Sequence, residues 1–260
     1  MMKILYLGDV VGVRTVSLLR ENLYDIRNEL GCDMVIANGE NASNIFGIGA
    51  SEYESLTYAG VDFITTGNHV WGKYDTQRIL EEKNDIIRPL NYPATLPGKG
   101  ASVVSVNGVR VLVMNVSGVA FMEPLDSPFD AVEKALSAYK GKYDISVLDI
   151  HAEATAEKMA IAHCFDGKIN IIVGTHTHVQ TADERILPRG SAYITDLGMC
   201  GPLNSIIGVK PEAVIRKQRY HMPSKFEVAD GPVNLCGVIV DINAETGKVN
   251  NIERFSETLY

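Results

Sequence analysis

Three short polar segments carry the residue types that could do chemistry in this chain: Gly39–Asn41, Gly67–His69 and Gly174–His178. Asp9 and His151 add a further carboxylate and a further imidazole. The candidate residues are Asp9, Glu40, Asn41, Asn68, His69, His151, His176 and His178. Carboxylate, amide and imidazole groups are ligands of first-row transition metals, and this set is large enough for two ions. The pattern therefore predicts a dinuclear metallohydrolase.

The candidates share a position relative to the predicted strands. Each lies one to five residues after the apolar core of a strand. Open α/β sheets usually bind ligands at the carboxyl ends of their strands, so we expect the candidates to meet at one sheet edge. A single Asp, Asn or His after a strand is more often a turn residue or a helix cap. Five such segments in one chain make coincidence a weak explanation.

The segment Gly174–His178 is the sharpest local signal. In an extended segment, side chains two positions apart point to the same side, so His176 and His178 could contact neighbouring metals. Gly174 permits a tight exit from the preceding strand. The alternative is a polar loop whose histidines are satisfied by hydrogen bonds.

Glu40 is the best candidate for a bridging ligand, because its two oxygens can contact two cations and its charge lowers their repulsion. Asn41 and Asn68 can donate neutral amide oxygens, although either could instead cap a helix or shape a turn. His69 follows Asn68 directly, and neighbours in an alternating segment point in opposite directions. We therefore expect Asn68 to bind metal and His69 to reach the substrate as a proton donor.

Composition narrows the class of protein. The 260 residues are 46% hydrophobic and carry a formal net charge of −8. No linker, low-complexity tract or repeat divides the chain, so we expect one domain over 1–260. The acidic balance disfavours stable binding to duplex nucleic acid, which needs many phosphate-neutralising cations. A small anionic substrate is compatible with it, since bound metals supply local positive charge.

The cysteine spacing and the hydropathy of the chain bear on its cellular location. The four cysteines are widely spaced and form no Cys-x-x-Cys, so neither a zinc knuckle nor a disulfide scaffold is predicted. The apolar run 4–7 is too short for a signal peptide, and no run of about 20 apolar residues predicts a membrane span. We expect a cytoplasmic protein with reduced cysteines and no membrane partner.

Strand and helix patterns alternate along the first two thirds of the chain. Apolar runs predict strands at 4–7, 34–37, 61–65, 145–150, 169–173, 192–195 and 238–242. Helical spacing predicts helices at 16–30, 51–59, 75–83 and 155–164, with Ser51 as the N-cap of the second. Between 101 and 116, two β-rich runs flank Asn107–Gly108, a hairpin signal because both residues tolerate positive φ. The mixture predicts an α/β protein with two packed sheets flanked by helices.

Taken together, the motifs resemble the calcineurin-like metallophosphoesterases, and within them the YmdB family, across almost the whole chain. The resemblance is carried by Gly8–Gly12, Asn38–Ala42, Thr66–His69, Asp149–Glu153, Gly174–His178 and Thr195–Gly198. It implies two packed mixed β-sheets flanked by α-helices, an αββα sandwich. Val11 stands where the wider superfamily has the histidine of Asp-x-His, and Glu40 replaces the usual bridging aspartate. Asn41 is the implied substitute for the missing histidine, a feature of the YmdB-like subgroup.

The resemblance also implies a ligand set and a reaction. One metal would be held by Asp9, Glu40, Asn41 and His178, and the other by Glu40, Asn68, His151 and His176. Family members use iron or another transition metal such as manganese, and act on phosphodiesters that include 2′,3′-cyclic nucleotides. The donors themselves suit Fe, Mn or Zn without choosing among them. Cations about 3.5 to 4 Å apart would generate a bridging hydroxide, His69 would protonate the leaving alkoxide, and a 3′-nucleotide would result.

Polar residues outside the motifs are expected to have structural roles or to lie on the surface. His163 lies in an apolar helical run, and His221 lies outside every motif. A basic stretch predicts a solvated face, with contact to substrate phosphate or a protein partner as the alternative. Its members are Lys210, Arg216, Lys217, Arg219 and Lys225. The loop Gly47–Gly49 could border the pocket, but a glycine turn is the simpler explanation.

Two classes of function are compatible with these residues. The first is a phosphodiesterase whose partner is a small phosphodiester or cyclic-nucleotide substrate. The second is a regulatory metal-binding protein that acts mainly through a partner surface. The ligand set together with His69 favours catalysis, and hydrolysis of amides or esters is disfavoured because no His-Glu-x-x-His motif is present. A homo-oligomer is left open.

Overall fold

The computed structural model describes residues 1–260 as twelve strands and six helices. The strands are β1 (Met2–Val11), β2 (Met34–Asn41), β3 (Phe63–Thr65), β4 (Ala101–Val106), β5 (Val109–Ser117), β6 (Ile145–His151), β7 (Ile171–Thr175), β8 (Arg185–Ile186), β9 (Ala192–Ile194), β10 (Met199–Pro202), β11 (Val233–Ile242) and β12 (Val249–Leu259). The helices are α1 (Val13–Leu30), α2 (Ala50–Ala59), α3 (Thr76–Glu82), α4 (Pro128–Ala138), α5 (Thr155–Phe165) and α6 (Pro211–Tyr220). None of the six helices combines the length and the apolar character that a membrane crossing requires.

The first sheet has the strand order β12-β11-β10-β1-β2-β3. β1 pairs in parallel with β2 and, near its end, in parallel with β10, while its first half pairs in antiparallel with β11. Leu5 and Tyr6 lie on opposite faces of β1 and are both fully buried, so the strand is covered on both faces, as its continuous apolar run predicts. The carboxyl ends of the parallel strands β1, β2 and β3 therefore lie side by side.

The second sheet has the order β4-β5-β6-β7-β9-β8. β5, β6, β7 and β9 are parallel, so the ends of β6 and β7 also lie side by side. β4 and β5 form an antiparallel hairpin. At its turn, Asn107 and Gly108 have φ values of 50° and 82°, which confirms the predicted hairpin.

Three apolar clusters separate four layers. A cluster of 21 buried residues, among them Tyr6, Phe63 and Val147, fills the space between the two sheets. A cluster of 29 packs the first sheet against α1, α2 and α3, and a cluster of 16 packs the second sheet against α4 and α5. Helices, sheet, sheet and helices follow one another through the molecule, which confirms the predicted α/β fold with an αββα arrangement.

The predictions of individual elements were less complete than the prediction of the fold. The elements β8, β10, β12, α4 and α6 were not predicted, and most other boundaries shift by a few residues. Ser51 is not the N-cap of α2: the helix begins at Ala50, Gly49 is the capping residue, and Ser51 is exposed. Asp75 Oδ2 accepts a hydrogen bond from Ala50 N at 2.7 Å, so the first turn obtains an acceptor from a distant loop.

Candidate metal centre

The structure brings all eight sequence candidates to one edge of the two sheets. Asp9 lies near the end of β1, Glu40 and Asn41 end β2, and His151 ends β6. The remaining candidates, Asn68, His69, His176 and His178, follow β3 and β7. The four strand residues are buried and the four loop residues are partly exposed. The site is therefore open to solvent only on the side of the loops.

One group of donors surrounds the imidazole of His151. Its Nε2 lies 2.9 Å from Asn68 Oδ1, 3.0 Å from Glu40 Oε1 and 3.1 Å from His176 Nδ1. Ligand atoms of Glu40, His151 and His176 all lie within 4.8 Å of one another. Gly67 permits this approach, since a Cβ there would lie 2.3 Å from both Glu40 Oε2 and His151 Cδ2. Two nitrogens and two oxygens converge on one point, as in a transition-metal site.

A second group of donors comprises Asp9, Asn41 and His178, next to Glu40. Asn41 Nδ2 is 3.3 Å from Glu40 Oε1 and 3.2 Å from His178 Nε2, and His178 Nε2 is 3.8 Å from Asp9 Oδ1. Rotation of the Asn41 amide by half a turn would present its oxygen at the same place. Asp9 Oδ1 is buried and has no hydrogen-bond partner. A buried carboxylate oxygen without a donor is costly, and a cation at this point would satisfy it.

The pKa values of the buried Glu40 and His151 are strongly shifted. Burial opposes ionisation of Glu40, but the adjacent His151 lowers the pKa of Glu40 to about 2. Burial likewise opposes the charged form of His151, yet Glu40 raises the pKa of His151 to about 9. Glu40 and His151 therefore form a buried ion pair, and a cation bound between them would replace the proton on His151 Nε2.

Two other ligand candidates are shifted mainly by burial. Burial raises the pKa of Asp9 to about 6, against the opposing effect of His178 and His151. Burial and the positive charge of His151 lower the pKa of His176 to about 3. His176 is therefore neutral at physiological pH, which is the form that ligates metals.

His69 stands beside the donors without joining their cluster. Its backbone N donates to Glu40 Oε2 at 2.9 Å, and its ring packs on Phe46 with centroids 4.4 Å apart. Burial lowers the pKa of His69, with partial compensation from Glu40. The expected alternation of Asn68 and His69 is wrong: both lie in a turn after β3, and Asn68 Nδ2 is 3.4 Å from His69 Nε2. The two side chains approach each other while Asn68 Oδ1 faces His151.

The profile of the YmdB-like protein family matches residues 5–255. The chain belongs to the YmdB-like family. A 2′,3′-cyclic-nucleotide 2′-phosphodiesterase of Bacillus subtilis (strain 168) is 41% identical over 253 residues, covering 97% of this chain and 96% of that protein. A hypothetical protein of Thermus thermophilus has a crystal structure with a TM-score of 0.93 and 38% identity, covering 99% of both chains. A crystal structure described as a novel phosphatase of Mycoplasma pneumoniae has a TM-score of 0.92 and 36% identity, covering 99% of this chain and 93% of that one.

In this YmdB-like chain, the segment of His176 and His178 is not extended as expected. β7 ends at Thr175, and the two histidines have φ values of 100° and 64°, in the left-handed region. Asp9 Oδ2 accepts a hydrogen bond from His176 N at 3.1 Å. The histidines face the centre because this turn is held by tertiary contacts, whereas strand alternation had been the expected cause.

A buried ion pair supports the same turn of the YmdB-like chain. Lys158 Nζ on α5 lies 2.6 Å from Asp196 Oδ2, and both side chains are almost completely buried. Asp196 Oδ2 also accepts bonds from Thr177 N at 3.1 Å and from Thr177 Oγ1 at 2.8 Å. Asp196 Oδ1 accepts a bond from Gly198 N at 2.9 Å. Asp196 lies in a motif that carries the resemblance, but no local signal pointed to Lys158.

The imidazoles are oriented by partners on their outer nitrogens. His151 Nδ1 lies 2.9 Å from Thr175 Oγ1, and that hydroxyl donates to Asp149 Oδ1 at 2.6 Å, so the histidine donates to the threonine. His178 Nδ1 donates to the carbonyl oxygen of Ile207 at 3.0 Å. These bonds leave Nε2 of both rings free to bind metal. Sequence reasoning missed Thr175 and Ile207 because neither type is diagnostic.

The third imidazole is oriented by a carboxylate at the rim of the site. His176 Nε2 lies 3.2 Å from Glu153 Oε2, so the Nδ1 atom of His176 faces His151. Glu153 is half exposed, and although it lies in the motif Asp149–Glu153, the sequence predicted no role for it. A carboxylate at the outer nitrogen raises the basicity of a histidine ligand.

Several residues that the sequence analysis discounted lie at the molecular surface. His163 and His221 are exposed. Lys210 and Lys225 pair with Glu227 at 3.5 and 3.1 Å, so part of the basic stretch is neutralised at the surface. The prediction of a solvated face agrees with these positions.

Proposed function

We propose that the chain is a dinuclear metal-dependent phosphodiesterase that hydrolyses 2′,3′-cyclic nucleotides to 3′-nucleotides. The observation that carries the proposal is the convergence of seven oxygen and nitrogen ligand candidates, with Glu40 between the two groups and His69 beside them. The Bacillus subtilis relative, named as a phosphodiesterase of this type, supports the substrate class.

The family resemblance implies two ligand sets, and the distances support them. Asp9, Asn41 and His178 would hold one metal, Asn68, His151 and His176 would hold the other, and Glu40 would contribute to both. The donors are nitrogen and oxygen atoms, and no thiolate is among them. Such a set suits iron or manganese, and we propose one of these as the resident metal.

The bound metals supply Lewis acidity and a nucleophile at neutral pH. The residues of the chain position the phosphodiester and move the proton. His69 donates a proton to the leaving 2′ oxygen, and the negative charge of the substrate favours the imidazolium that this requires. Glu40 accepts the hydrogen bond from His69 N, so the carboxylate that joins the ligand groups also fixes the backbone of the proton donor.

The single experiment that tests this function is an assay of metal-depleted and reconstituted protein. We expect hydrolysis of adenosine 2′,3′-cyclic phosphate to the 3′-nucleotide, with lower rates on phosphomonoesters and none on peptides. Chromatography distinguishes 3′- from 2′-nucleotide. Asn41→Ala tests the ligand set and His163→Ala, at an exposed position, is its matched control. A fully metal-loaded chain that hydrolyses no phosphodiester would instead favour the regulatory metal-binding alternative.

Two further properties belong to the proposal. We expect 1–260 to behave as one domain, and we expect a cytoplasmic location, with which four free cysteines are compatible. Limited proteolysis and fractionation of cells test these expectations.

A further inference from the structure

An aromatic side chain stands at the rim of the centre without a role in metal binding. Phe46 is 48% exposed, although large apolar side chains are usually buried. Its ring centroid lies 4.4 Å from that of His69, with an angle of 53° between the planes. An exposed ring in contact with the proposed proton donor is placed to contact a substrate.

Hydrogen bonds and close backbone packing hold the loop that carries Phe46. Ser43 N donates to Gly47 O at 3.0 Å, and Thr76 Oγ1 donates to the carbonyl of Ile48 at 2.7 Å. Ile48 is fully buried. Gly47 packs directly on the backbone of Gly72, where a Cβ would lie 2.9 Å from the carbonyl carbon. The backbone of Phe46 is therefore held in place, so a ligand that stacks on the ring orders little additional chain.

A cavity of about 440 Å³ adjoins Phe46. Phe226, Lys73 and Lys217 also line it, and Lys217 Nζ lies 4.8 Å from the centroid of the Phe226 ring. Aromatic faces bind nucleobases by stacking, and ammonium groups donate to the ring nitrogens and carbonyl oxygens of bases. The combination fits a planar heterocycle.

We propose that Phe46 and this cavity form the nucleobase subsite, with the base stacked on Phe46 while the cyclic phosphate lies at the metal centre. This inference rests on the proposed function and specifies how that site selects its substrate. Because purines offer a larger face than pyrimidines, the wild-type chain should prefer cyclic purine nucleotides.

The test compares two substrates that differ only in the base: adenosine 2′,3′-cyclic phosphate and methyl β-D-riboside 2′,3′-cyclic phosphate. With manganese-reconstituted protein, Phe46→Leu should lower kcat/KM for the adenosine substrate roughly 5- to 150-fold. The substrate without a base should change by less than about 2-fold. Phe46→Tyr keeps an aromatic face and should retain the adenosine activity.

The alternative role of Phe46 is to position or shield His69. In that case Phe46→Leu would slow both substrates by the same factor, and the nucleobase subsite would be rejected. Unchanged kinetics with both substrates would reject it as well. Phe226→Leu tests the far wall of the cavity and should also affect only the substrate with a base. Circular dichroism and thermal unfolding show whether each variant is folded.

A binding measurement separates this inference from the proposed reaction. Trp71 is the single tryptophan, is 37% exposed and follows His69 by two residues, so its fluorescence can report binding near Phe46. Adenosine 3′-monophosphate should bind more tightly than ribose 3-phosphate, and Phe46→Leu should abolish the difference. Equal binding of both ligands by the wild type would overturn the subsite. If wild-type protein hydrolyses neither cyclic substrate, the proposed function fails while the binding result still decides the subsite.

Discussion

Replacing Lys158 by methionine should destabilise the chain and loosen the turn that carries His176 and His178. Lys158 Nζ lies 2.6 Å from Asp196 Oδ2 in a buried environment. The same oxygen accepts two hydrogen bonds from Thr177, the residue between the two histidines. Methionine keeps most of the apolar stem but leaves the carboxylate of Asp196 without its cation.

The expected magnitude follows from burial. Removal of one partner from a buried ion pair costs about 3 to 5 kcal/mol. Asp196 retains hydrogen bonds from Thr177 and Gly198, so we expect the lower end, about 3 kcal/mol. At about 2 to 4 °C per kcal/mol for a chain of this size, Tm should fall by roughly 6 to 12 °C. Metal affinity should fall about 10- to 100-fold, because Lys158 no longer fixes the Asp196 carboxylate that positions Thr177 between the two proposed histidine ligands.

Thermal and denaturant unfolding of metal-free protein measure the first effect, and metal titration measures the second. The double variant Lys158→Met/Asp196→Asn removes both charges and should recover part of the stability. Lys168→Met removes a lysine from an exposed position and should change stability by less than about 0.5 kcal/mol. A loss below about 1 kcal/mol in Lys158→Met with unchanged metal affinity would refute the supporting role of the pair.

Four further predictions concern the metal centre. Elemental analysis should find about two transition-metal ions per reconstituted chain, and Glu40→Ala should lower occupancy of both sites more than Asn41→Ala does. Loading that never exceeds one ion would count against the dinuclear assignment. His69→Ala should keep its metal but slow the chemical step roughly 10²- to 10⁴-fold for an alkoxide leaving group, and less for a phenolate, in single-turnover assays. Loss of metal would instead place His69 among the ligands. Metal uptake should release at least one proton at pH 7.5, because the pKa of His151 is about 9. Near pH 5 the ligands should release more protons than at pH 7.5, because the pKa of Asp9 is about 6. Calorimetry in buffers of different ionisation enthalpy measures these protons, and uptake without pH dependence would contradict both shifts. Protonated His151 contributes to the stability of the metal-free fold. This contribution is fully present below pH 6.5, the ordinary pKa of histidine, and should be lost as pH rises through about 9.

The residue types and their positions after apolar runs were sufficient to predict which side chains meet. Glu40 and His151 end strands of different sheets, yet both were candidates because parallel strands place their carboxyl ends at a common edge. Hydrophobic periodicity likewise predicted two packed sheets flanked by helices, since each strand run had to be covered on both faces, and the family resemblance implied the αββα sandwich. The single domain and the roles of the site residues stay predictions.

The sequence by itself therefore determined which candidate residues follow strands and that helices and sheets alternate, because burial periodicity and strand polarity are local properties. Only the tertiary structure decided how the donors are held. Strand alternation failed for Asn68 and His176, because β3 and β7 end before these residues and turns set their directions. The pairing of Lys158 with Asp196 and the contact of Phe46 with His69 join segments that are distant or irregular. Such contacts depend on how loops and layers pack, and local periodicity carries no information about that packing.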